Sequence, residues 1–171
     1  VILLLAFAAS AWLMWVLLGR LGMSGAARAA GVGFFVLTPL TAEVTFWWST
    51  GMNNTLFLPF VLAALVCAVQ YALTTRARWV VLGAGFQLVA LTFFQKAFLT
   101  PLWILCVGLV VPALFRKVLR PALVGAALSA LYLVAYVSVV SNESLRGSGV
   151  PAIDEVLQVA LSSAGKSVLA T

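Results

Sequence analysis

Residues 55–95 read TLFLPFVLAALVCAVQYALTTRARWVVLGAGFQLVALTFFQ: two apolar runs whose only charges, Arg76 and Arg78, sit in the short connection between them. Each run is close to the length that carries a helix across a hydrocarbon core about 30 Å thick. A segment in lipid must satisfy its own backbone hydrogen bonds, so both runs are expected to be helices. The connection is short, which makes them antiparallel neighbours.

The same pattern extends in both directions. Apolar runs cover 1–18, 29–46, 55–74, 79–95, 97–115 and 121–140. The chain is 64% apolar and 8% charged over 171 residues, with a mean hydropathy of +1.17. The dyad alternation of a membrane β-barrel is absent from the sequence. The expected fold is all-α, a polytopic transmembrane helical bundle of six spans over 1–141, followed by an extracytoplasmic segment over 142–171.

The charges are sorted by side. Arg20, Arg28, Arg76, Arg78, Arg116, Lys117 and Arg120 occupy alternate connections; Glu43, Lys96, Glu143, Arg146, Asp154, Glu155 and Lys166 occupy the others. Basic connections stay on the cytoplasmic side. This predicts 20–28, 75–78 and 116–120 inside, and 43–54, 95–97 and 141–171 outside. The run Phe115-Arg-Lys-Val-Leu-Arg-Pro121 is read as a tight inner turn, with Pro121 in the first turn of the last span. The net charge of +6 is thereby assigned to membrane insertion. Nucleic-acid binding is not expected, because the basic residues are split among three short loops.

Cys67 and Cys106 both fall inside apolar runs, where a free cysteine behaves as a small hydrophobe. The absence of histidine from the sequence removes Ser-His and Cys-His catalysis. The chain opens on Val1-Ile-Leu-Leu-Leu5 without a charged leader, and it is read as an internal piece of a longer protein. Pro151 opens an amphipathic helix expected over 151–164, with Asp154 and Glu155 in its first turn. It is read either as a helix lying on the outer membrane surface or as the first helix of an external domain.

The residues that suggest chemistry gather on the predicted outer side. Glu43 and Trp47 are four apart beside Trp48, and Asn53 and Asn54 open the next run. An acid at the end of a span invites a functional assignment, against the alternative of a solvated carboxylate and an aromatic belt. Lys96 sits in a turn with almost no loop, on the side where lysine is disfavoured; it is read either as a snorkelling side chain or as a fixed cation for a lipid-linked phosphate. Gln87, in the middle of the fourth run, is expected to form an interhelical hydrogen bond. Small residues four apart, Gly125 with Ser129 and Ala126 with Ala130, suggest a close helix contact in the sixth run.

Pro39, Glu43, Asn53, Leu56 and the turn Gln95-Lys96-Ala97 together resemble the multispan glycosyltransferases of the GT-C class, in particular a mannosyltransferase-like branch. That branch has a His-Pro-x-His-x-Glu pattern at the outer end of one span and a later hairpin carrying Ser-Lys-Glu. Thr38 and Thr41 stand here where the branch has histidines, Asn53 replaces an acid, and Ala97 replaces the glutamate. The resemblance covers roughly 1–115. It implies transfer of a sugar from a polyprenyl-phosphate carrier at the outer face of a bacterial cytoplasmic membrane. Lys96 would bind the lipid phosphate, Glu43 would orient the acceptor or hold a divalent metal, Trp47 or Trp48 would stack on the sugar, and Asn53 and Asn54 would also bind substrate. The class carries its principal catalytic acid in an outer loop that would precede Val1. The rival expectations are a transporter or flippase, and a scaffold subunit that keeps the helical frame without catalysis.

Overall fold

A computed structural model describes residues 1–37 and 55–146, and all its regular elements there are helical. In chain order they are α1 (Ile2–Arg20), α2 (Gly25–Leu37), α3 (Leu58–Thr74), α4 (Arg78–Phe93), a 3₁₀ turn (Gln95–Leu99), α5 (Thr100–Val110) and α6 (Pro112–Arg146). The chain divides into two compact units, Val1–Tyr132 and Leu133–Thr171. Of the second, the described part is the C-terminal stretch of α6. The outer helix expected over 151–164 lies outside the described residues.

Two helices are long and apolar enough to cross a membrane, α1 over Ile2–Arg20 and α6 over Pro112–Ser138. Only 17% and 28% of their most apolar windows are buried, so most of each apolar window is left uncovered. Helices α3, α4 and α5 are equally apolar in character but have 17, 16 and 11 residues. At 1.5 Å per residue they fall short of a full crossing, and the second expected span, 29–46, is described only as far as Leu37; the described residues hold two helices of crossing length where six were expected.

Close contacts define how the helices run. Phe7 stacks on Phe35 at 5.8 Å between ring centroids, and Gly31 lies against Leu18; α1 and α2 are therefore an antiparallel pair. Phe60 stacks on Phe93 at 5.6 Å, Phe57 meets Phe94 at 5.2 Å, and Gly83 abuts Cys67, which makes α3 and α4 a second pair. In the third, Gly108 faces Phe115 and Val118, Pro101 faces Gly125, and Ser129 bonds Phe98. Every one of these α5–α6 contacts is centred near Ala113. Gln87 of α4 bonds Gly125 and Ser129 of α6, and Trp79 lines the same cleft as Pro121, so α4 and α6 run parallel.

The reversal between α5 and α6 corrects the sequence reading. No turn occurs at 116–120; α6 is helical from Pro112 through Pro121, and Arg116, Lys117 and Arg120 lie on its first turns. The chain reverses at Val111, whose φ of −121° and ψ of 84° are extended. A residue before proline is pushed out of the helical region, and proline suits the first helical position, where it has no hydrogen bond to lose. Pro112 makes the turn, and the charged run was the misleading signal. Pro121 instead sits inside the helix, as does the polar stretch 142–146.

Helix α3 is the hub. Its buried residues include Val61, Leu62, Leu65, Ala68, Val69 and Ala72, and they pack with Leu17, Ala90, Leu91, Ile104 and Val118 in one core. Pro59 opens this helix, and Thr75 closes it in the left-handed region at φ 55°, its N–H donating to the Tyr71 carbonyl. The inner face of α6 runs through Leu114, Val118, Ala122, Gly125 and Ser129, all buried at helical spacing. Ser10, fully buried in α1, donates to the Ala6 carbonyl at 2.8 Å and so needs no other partner.

Candidate functional site

The antiparallel and parallel pairings sort the basic residues between 58 and 132 between two ends. Arg76 precedes α4 and Arg78 opens it, and Arg116, Lys117 and Arg120 lie in the first turns of α6, so all five share one end. Lys96, between α4 and α5, lies at the other. The hydrogen bond from Arg120 Nη1 to the Tyr71 hydroxyl, 3.5 Å long, ties the last turn of α3 to the same basic end.

Lys96 is held by a turn built for rigidity. Phe94 ends α4 in an extended conformation at φ −155° and ψ 129°, and the 3₁₀ turn follows. Ala97, 1% exposed, anchors it inside: its N–H donates to the Phe94 carbonyl at 3.1 Å. The buried Thr100 hydroxyl in turn donates to the Ala97 carbonyl at 2.7 Å. Lys96 points outward, exposed, with Nζ 5.2 Å from the centroid of the Phe94 ring. That is within cation–π range. The burial of Ala97 explains why a glutamate there would not serve this site, since its carboxylate would be driven into an apolar core.

Glu43, Trp47, Trp48, Asn53 and Asn54 lie outside the described residues. Among the described residues no three of His, Cys, Asp and Glu gather as a metal site; the metal suggested by the resemblance rested on Glu43.

Gln87 occupies the centre of the α3–α6 unit, 2% exposed. Its Nε2 donates to the Gly125 carbonyl at 3.0 Å and to Ser129 Oγ at 2.8 Å. Ser129 Oγ donates onward to the Phe98 carbonyl at 3.0 Å. The expected interhelical hydrogen bond is therefore present, and it joins α4, α6 and the 3₁₀ turn in one chain. The small residue at 125 is what admits it: a Cβ there would stand 2.6 Å from Gln87 Oε1 and 3.3 Å from Pro101 Cγ. Trp79 Nε1 is buried without a partner beside a cleft of about 10 Å³ shared with Gln87 and Gly125. That is room for one water.

Two arginines have roles that charge sorting did not reveal. Arg28 folds back over the α1–α2 turn, donating from Nε to the Met23 carbonyl at 2.9 Å and lying 5.7 Å from the Trp15 ring centroid. Arg120 bonds Tyr71. Neither partnership has a signal in the sequence, because cation and acceptor are brought together only by the hairpins.

No family model, curated protein or solved structure matches this chain.

Proposed function

We propose that the chain is a polytopic membrane protein with a GT-C-like helical frame, and that it transfers a sugar from a polyprenyl-phosphate carrier. The observation that carries this reading is the split of charge along the α3–α6 unit: five cations at one end, and Lys96 on a braced turn at the other. Basic ends remain cytoplasmic, which puts Lys96 at the extracytoplasmic surface. The exposed faces support the membrane setting. Leu4, Trp12, Val81, Leu102, Leu109 and Leu123 are each at least half exposed. Lipid covers such faces without cost. The helices shorter than a full crossing are accommodated by local thinning and by snorkelling cations at their ends.

In this reaction the acceptor hydroxyl attacks the anomeric carbon, the bond from that carbon to the phosphate oxygen breaks, and the phosphate leaves with the electron pair. The acceptor proton goes to a carboxylate base. Lys96 stabilises the charge that develops on the leaving phosphate, and Glu43 orients the acceptor. The test is sugar transfer from a polyprenyl-phosphate donor by the full-length protein in liposomes. Lys96→Ala should lower turnover by about 10²–10³-fold, the usual loss on removing one stabiliser of a developing oxyanion. Unchanged turnover in both Lys96→Ala and Glu43→Gln would remove these residues from the reaction.

The buried Ala97, where the resemblance has a glutamate, favours a second reading: a non-catalytic subunit that keeps the frame and the phosphate-binding lysine. Polyprenyl-phosphate binding that depends on Lys96, in a protein with no transfer activity, would establish it. Transport has less support, because Gln87, the polar group nearest the middle of the helices, is committed to structural bonds.

A further inference from the structure

We propose that the cleft at the α5–α6 turn is a binding site for an anionic phospholipid, with the lipid phosphate held by Arg116 and Lys117 and an acyl chain lying along α5. The cleft measures about 430 Å³ and is lined by Gly108, Leu109, Pro112, Phe115, Arg116 and Lys117 among others. It exists because the chain reverses within one residue at Val111. Gly108 forms the back of the hairpin, where even a Cβ would come within 2.7 Å of Val118.

The lining has two chemistries. Arg116 and Lys117 are both exposed. Arginine offers a planar fork that matches phosphate oxygens, and lysine adds a point charge. Arg76, Arg78 and Arg120 stand at the same end but do not line the cleft. Beside the cations, Leu109 is 66% exposed and Leu102 is 55% exposed. They are seven apart on α5 and therefore share a face, which makes an apolar strip leading away from the cleft. A soluble anion would use only the cations; a phospholipid uses both.

The level is right for a headgroup. Leu123, 69% exposed, begins the outward apolar face of α6 and lies about 10 Å beyond Arg116 at the helical rise. The cations thus stand at the edge of the apolar belt, where basic pockets between helices take anionic headgroups. This site lies at the opposite end from Lys96. It rests on the membrane reading above and is independent of glycosyl transfer.

The experiment is a titration of the full-length protein in detergent with phosphatidylglycerol, read as bound lipid by native mass spectrometry. Phosphatidylcholine and glycerol 3-phosphate are parallel probes, and alkaline extraction of membranes is run alongside. Phosphatidylglycerol should bind in preference to phosphatidylcholine. The Arg116→Ala/Lys117→Ala double variant should bind it at least about tenfold more weakly. Arg76→Ala/Arg78→Ala, which removes the same charge outside the cleft, should bind it nearly as well as the parent. Equal loss in the two double variants would reduce the effect to bulk electrostatics and overturn the site. Full competition by glycerol 3-phosphate would overturn the acyl strip, and no preference for phosphatidylglycerol would overturn the whole proposal. Release of the protein by alkaline extraction would instead sink the membrane reading on which it rests.

Discussion

Helices α2 and α3 are both apolar and both connect to a neighbour through a short basic turn, yet they are buried very differently. Helix α3 hides nine of its 17 residues. Helix α2 has none that is fully buried; of its half-buried positions, Ala27, Arg28, Gly31, Val32 and Phe35 form a stripe at helical spacing and Gly33 lies beside it. Hydrophobicity therefore does not separate the interior of such a bundle from its outer face. Where lipid is as apolar as leucine, helices associate through close packing and a few buried hydrogen bonds. The positions that matter are the small and polar ones.

The sharpest test of that contrast is the same substitution on both helices. Ala72 of α3 is 0% exposed, and leucine there must displace the packed core. Ala72→Leu should cost about 1–3 kcal/mol or more, the range for overpacking, read by unfolding in mixed micelles. A loss below about 0.5 kcal/mol would mean that α3 is not the packed hub.

The next largest effect belongs to Gly125→Ala. The new Cβ collides with Gln87 Oε1, so Gln87 must move and surrender its bonds to Gly125 and Ser129. A loss of about 1–2 kcal/mol is expected, and much of it should vanish in a Gln87→Ala background, because the obstacle has been removed. Additive losses would show that Pro101, the other neighbour of that Cβ, carries the clash. Gln87→Ala alone should be milder. Side-chain hydrogen bonds between membrane helices are worth about 0.6 kcal/mol on average and up to about 1.7. A double-mutant cycle with Ser129→Ala measures this one directly, and a coupling energy near zero would break the claim that the bond joins α4 to α6.

These same residues mark how far the sequence could be read. Helices α1, α3 and α4 were legible to within a few residues, because apolar runs bounded by arginine leave little freedom in where a helix ends. Gly125 and Ser129 announced a close contact through their spacing, and Gln87 stood out as a polar group with no water to turn to. The third reversal was misread because two signals competed, a cluster of three cations and a single proline. Charge reports the side of the membrane and is indifferent to a helical turn or two. Pro112 acts on the backbone itself, so it decided the turn. The partners of Arg28 and Arg120 were illegible, since they depend on hairpin register. For the candidate site, the sequence located Lys96 in a turn between two helices, and the structure adds what braces it. Why lysine stands on that side is a question of chemistry that neither periodicity nor packing answers, which is why Lys96→Ala is read as turnover.

Ala30 of α2 completes the comparison and carries the smallest expected effect. It is exposed, and on the membrane reading proposed above leucine there extends an apolar face toward lipid. Ala30→Leu should change stability by no more than about 0.5 kcal/mol, as substitutions away from packed features do. The result is informative in either direction. Tolerance at Ala30 beside intolerance at Ala72 would establish that one residue type, in two helices of similar composition, reports which face meets protein and which meets lipid. A loss at Ala30 comparable to that at Ala72 would mean that protein covers the outward face of α2. The contrast between the two helices would then be a property of this stretch of chain alone and would disappear in the assembled protein.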